Sequence, residues 1–162
     1  MTKAADALRA QLVRALSWEQ AHVGFEAAFD GIPAAARGAR APGFDHSAWQ
    51  LLEHMRLAQK DLLTFCLDRK YVHALNWPDD YWPKDPAPPG DAAWEQSVKG
   101  FKADRTRVAR LARDPKVNLL AKVPTGKREQ TYLRAILLVI DHNAYHLGQV
   151  VALRRALGIW KV

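Results

Sequence analysis

The sequence predicts an all-α fold, a four-helix bundle, as a single domain over residues 1–162. Three observations carry this. Apolar residues recur at three- and four-residue spacing in four long stretches. No segment sustains the two-residue alternation of a half-buried strand. The breaks between stretches hold the glycines and prolines that stop helices. A chain of 162 residues, 49% hydrophobic and 25% charged, can bury a core of its own and does not have the composition of a disordered segment.

The first helix is expected from Thr2 to Phe29. Leu8, Leu12, Ala15, His22, Phe25 and Phe29 fall near one face, and Gly31 and Pro33 end it. The second begins at Ser47. Gln50 stands three residues on, the spacing of a capping box in which each side chain takes the other's free backbone N–H. Leu51, Met55, Ala58, Leu62 and Phe65 form its inward stripe. From Trp77 to Gly90 five prolines (Pro78, Pro83, Pro86, Pro88 and Pro89) exclude helix and central strand. With Trp77, Tyr81 and Trp82, this stretch reads either as a lid over a site or as a cap on the core. The third helix is expected from Asp91, as cap, to Arg113, before Asp114-Pro115. The fourth runs from Arg128 to Leu157 with Gly158 as the stop, and Leu133, Ile136, Leu137, Ile140, Ala144, Leu147 and Val151 supply its apolar side.

Charge and cysteine content limit the function classes. The net charge of +7 is concentrated between Lys99 and Arg128, where ten Lys or Arg face only Asp104 and Asp114. Such a band attracts anions or nucleic acid, but no nucleic-acid motif accompanies it, and a solvated helix face is the simpler reading. The one cysteine, Cys66, forbids an internal disulfide and lies in an apolar run, as a buried inert thiol would. The longest aliphatic run, Ala135 to Ile140, is far short of the ~20 residues that span a bilayer, and the N-terminus has no signal-peptide core. The expected location is the cytoplasm, without membrane attachment.

The chemistry is expected from histidines. His142 and His146 are four residues apart on the fourth helix, which places their rings ~40° apart and one turn along. Two imidazoles seldom hold a metal alone. His54, among Leu51, Leu52 and Leu57 on the second helix, is the best third ligand, because an imidazole buried there needs a partner. His22 is placed on the buried side of the first helix, as a further ligand or a base. Gln149 shares the His146 face, placed to orient a bound molecule or hold an imidazole in register. His46 and His73 sit at helix edges and read as solvated.

The segment Asp141-His142-Asn143-Ala144-Tyr145-His146-Leu147-Gly148-Gln149, followed by Leu153-Arg154-Arg155-Ala156-Leu157-Gly158, resembles the final helix of the DinB-like (YfiT-like) family of metal-dependent enzymes. Ser47 to His54 resembles that family's first-ligand motif, and Trp77-Pro78 through Tyr81-Trp82-Pro83 the loop of one branch. The resemblance spans Ala21 to Trp160. It implies an up-down-down-up bundle, frequent homodimers, and one divalent ion, zinc or nickel before iron or manganese, on His54, His142 and His146. An ion on three neutral imidazoles keeps its double charge and an open position. The expected function is therefore a metal-dependent transferase using a low-molecular-weight thiol, or a hydrolase, acting on a small molecule. The alternative is a non-catalytic metal-binding or stress-response protein whose ion is structural or sensing.

Overall fold

The computed structural model describes residues 3–17 and 21–160. Among these are five α-helices: α1 (Lys3–Ala15), α2 (Phe25–Phe29), α3 (Ala48–Leu67), α4 (Asp91–Arg113) and α5 (Tyr132–Ala156). The described residues contain no strand, only an isolated bridge between Lys122 and Thr131.

The chain's own signals set most of these boundaries. The Ser47 side chain accepts the Gln50 N–H and the Gln50 side chain accepts the Ser47 N–H, each at 3.2 Å, so the expected capping box starts α3. α4 has the expected span, but its cap is Gly90 without a side-chain bond. Asp91, expected as the cap, instead pairs with Arg37 at 2.7 Å. α5 begins four residues later than expected. Thr131 caps it by accepting the Arg134 N–H at 3.2 Å, while Lys127 to Gln130 form a turn closed by the Gln130 side chain on the Lys127 N–H. Gly158, at φ +68°, ends it as expected, in a conformation that L side chains rarely adopt.

The first expected helix is broken. α1 stops at Ala15, and the Ser17 N–H tightens back onto the Arg14 carbonyl at 3.1 Å. The chain resumes as the short α2 after Gly24, whose extended backbone lies outside the helix it precedes. Glycine at this position and β-branched Val23 before it favour a break. The expected start at Thr2 lies outside the described residues.

α3 packs against both α4 and α5, and α1 closes against α4. Trp49 meets Trp94 and Gln59 meets Phe101, so α3 and α4 run in the same direction. His54 meets His146 and Gln59 meets Asn143, so α3 and α5 run in opposite directions. The core toward the start of α3 holds Phe25, Phe29, Leu52, Met55, Trp94, Phe101 and Leu153. The other end holds Leu12, Leu63, Val108, Ile136 and Val139. Gln59, fully enclosed, donates to the Phe101 carbonyl at 2.9 Å and accepts from the Asn143 amide at 3.1 Å, so one side chain ties three helices together.

α5 buries Ile136 and Leu147 as expected and half-buries Leu133, Ile140, Ala144 and Val151, but its inward face is rotated away from Leu137. Ala135, Ile136, Val139, Asn143, His146, Leu147, Val150 and Leu153 are buried, while Leu137 is 48% exposed. α5 is long and apolar enough, by length and composition, to cross a membrane. In this fold it packs on α3 and α2 as a core helix. Part of the basic band is paired: Arg105 reaches Glu26 at 2.6 Å and Arg107 reaches Asp104 at 2.9 Å. Cys66 is buried among Leu111, Val123 and Ala135, and that burial pushes its thiol up to about 12.

Candidate metal centre

The segment from residue 68 to 90 leaves the end of α3, returns over its first half, and is fastened there. The Ser47 hydroxyl donates to the Pro86 carbonyl, and the Gln50 amide donates to the Pro83 carbonyl at 2.9 Å. The two residues that cap α3 thus also hold the proline-stiffened loop above it. The loop lies over three histidines.

Those histidines are His54 from α3 with His142 and His146 from α5, and one ring nitrogen from each lies within 4.8 Å of the others. His54 is 2% exposed, and its Nε2 is 3.0 Å from the Nε2 of His142. The far nitrogens determine which tautomer is present. His54 Nδ1 faces the Tyr81 carbonyl at 3.2 Å, and His146 Nδ1 faces the Gln149 side-chain oxygen at 2.6 Å. Both oxygens only accept, so each Nδ1 carries the proton and each Nε2 presents a lone pair.

Electrostatics keep the rings neutral. Burial, then the neighbouring His146 and His142, push His54 from 6.5 to about 3. Burial and His146 push His142 to about 4, against the pull of Asp141. Burial likewise lowers His146. Uncharged imidazoles are the ligands a divalent cation requires; without one, the His142 Nε2–H donates to the His54 Nε2 lone pair, and a cation would take that proton's place. Two nitrogens on one tetrahedral zinc stand about 3.3 Å apart, so the His54–His142 pair already has nearly that separation. The residues present fit such an ion.

The surroundings are aromatic. Trp82 stacks on His54 at 3.7 Å and 3°. Trp77 lies 5.8 Å from His54 and 6.3 Å from His142, and Tyr145 lies 4.9 Å from His146. Trp77 and Tyr145 are 61% and 65% exposed, and of the three histidines His142 is the one that is only half-buried.

Of the two further residues expected at the site, Gln149 is beside it and supports His146 as described. His22 is not among the clustered histidines. The break before α2 leaves it exposed, with Nδ1 on the Val23 carbonyl at 2.8 Å, beside a small cavity lined by Asn143 and Leu147. Its expected place on a buried helix face is corrected accordingly. His46, expected to be solvated, is half-buried. It stacks on Trp82 at 3.7 Å, and its Nδ1 is enclosed with no hydrogen-bond partner. Its place directly before the Ser47 cap was the available signal, since a residue at a helix start must sit where the preceding loop crosses. Tyr81 as the partner of His54 had no such signal, because the contact is made by its backbone carbonyl.

Fold and site together define an all-α bundle with a candidate three-histidine centre for a divalent metal. The description of the DinB superfamily matches residues 17–150, and the chain belongs to that superfamily. No curated protein and no solved structure matches it.

Proposed function

We propose that this protein is a metal-dependent enzyme acting on a small molecule in the cytoplasm, by thiol-dependent transfer or by hydrolysis. One divalent ion, zinc or nickel before iron or manganese, is held by His54, His142 and His146. The observation that carries this reading is the convergence of three neutral imidazoles, with His142 half-buried beside the exposed ring of Trp77 and the exposed Tyr145 beside His146. Such an ion supplies Lewis acidity and makes a water or thiol nucleophilic near neutral pH.

The chain's own residues supply the rest. Tyr81 and Gln149 hold the rings of His54 and His146 so that Nε2 faces inward. Trp82 excludes water from one side of His54. Trp77 and Tyr145 offer apolar walls to the body of a substrate. Cys66, buried with its thiol protonated at neutral pH, cannot provide the sulfur, so a thiol substrate comes from solution.

Metal analysis of protein purified after supplementation with zinc, nickel, iron or manganese tests the centre. About one ion per chain is expected, and none in His142→Ala. Protein that binds none of these ions refutes it. Turnover of an electrophile with glutathione, mycothiol or bacillithiol then tests the transfer, and failure with all three leaves hydrolysis.

The enclosure of two of the three rings favours a second reading: His54 and His146 are 2% and 6% exposed, and an ion closed off from solvent there is structural or sensing. Azide added to the cobalt-substituted protein discriminates: a changed visible spectrum means an open position, and an unchanged one favours closure.

A further inference from the structure

We propose that Asp61 is a positioning residue for the metal centre, acting through Tyr81 on His54. The inference rests on the reading of the three histidines as ligands, but its geometry is independent of any ion.

His54 and Asp61 are seven residues apart on α3, two turns, and so share one face of that helix. Tyr81, 2% exposed, lies along that face and touches both. Its backbone carbonyl accepts the His54 Nδ1–H at 3.2 Å, and its hydroxyl donates to Asp61 Oδ2 at 2.7 Å. The side chain acts as a strut: the carboxylate at one end fixes where the carbonyl stands at the other. That carbonyl holds the proton on Nδ1 and keeps the lone pair on Nε2.

The other carboxylate oxygen is also engaged. Tyr71 donates to Oδ1 at 2.8 Å, and its oxygen lies 2.8 Å from His73 Nδ1. One acid therefore clamps the 68–90 loop at its beginning and its middle. Two hydroxyl donors, one on each oxygen, require an acceptor at both positions. A carboxylate meets that demand and an asparagine does not, because its amide nitrogen offers no lone pair. Tyr71 holds only the edge of the loop, whereas Tyr81 alone reaches the ligand, so the two phenols should separate in experiment.

The test uses the whole protein and two readouts. The first is zinc affinity, by competition with a chromophoric chelator. Asp61→Asn and Tyr81→Phe should each weaken zinc about tenfold. The double variant should be no weaker than either single one, because both cut the same strut. Tyr71→Phe should leave affinity within about twofold. The second readout needs no metal. In long-range proton–nitrogen NMR of metal-free protein, the His54 Nδ1–H should be protected in wild type and in Tyr71→Phe, and exchange faster in Asp61→Asn and Tyr81→Phe.

Unchanged zinc affinity in both single variants, additive losses in the double variant, or an unaltered His54 Nδ1–H overturns the proposal. Tyr81→Phe removes one oxygen atom only, so it decides the matter if Asp61→Asn fails to fold. If wild-type protein binds no zinc, the metal reading fails, while the NMR signal still tests the strut.

Discussion

An imidazole offers a metal one nitrogen, and the partner of the other nitrogen decides which. Gln149 plays that part for His146 at 2.6 Å. Gln149→Leu should lower metal affinity about tenfold, and Gln149→Glu, which still accepts, should restore most of it, both read by chelator competition. The neutral rings also set a pH dependence. An unfolded chain protonates its histidines near 6.5, whereas folded His142 and His54 stay neutral down to about 4 and about 3. In that window the unfolded state binds more protons, so stability rises with pH. The contribution is complete above pH 6.5 and drains away as pH falls toward the folded values. Melting curves of metal-free protein from neutral pH down to about 4.5 should show the decline, and His142→Gln should flatten it.

Side-chain spacing, with the resemblance, made the cluster of three histidines legible. His142 and His146 needed only a helix, and His54 needed only to lie among leucines on another. His22 was misplaced because the same spacing arithmetic assumes an unbroken helix, and Val23-Gly24 breaks it. The orientation of each ring was not legible at all. It depends on a loop carbonyl and a helix neighbour that meet the rings only after folding.

At the scale of elements, Ser47 joins two tasks. It caps α3 and donates to the Pro86 carbonyl of the loop above. Ser47→Ala should therefore destabilise by about 1–2 kcal/mol, the upper part of the range for a lost cap, measured by urea unfolding. Tryptophan emission should shift as well, because Trp82 is held by the same loop and a simple loss of helix propensity would not disturb it. The capping pattern was readable because cap residues lie next to each other in sequence. The face of α5 was harder. Its apolar residues surround the helix, so periodicity marks the inward side only broadly. Partners from α3, including Gln59 on Asn143, set the rotation that leaves Leu137 outside. Whether the proline segment was lid or cap was likewise decided by partners: Tyr81 and Trp82 meet His54 directly.

Across the whole molecule, Gln59 is the point where three helices share hydrogen bonds. Gln59→Leu leaves the Asn143 amide without its partner in the core and takes from the Phe101 carbonyl the donor it has besides its own helix, and should cost about 1–3 kcal/mol, visible as a lower urea midpoint. A metal on the proposed centre would act at the same scale, because the three histidines join α3 to α5. A free ion at about 100 times its dissociation constant should stabilise the fold by about 2.7 kcal/mol, and a chelator should reverse the rise in melting temperature. Finally, the enclosure of Cys66 has a practical corollary. The intact chain should be nearly silent toward thiol-detecting dyes and alkylating reagents until it is denatured. Any sulfhydryl lost during an assay can then be assigned to the added reactant, free of background from the polypeptide.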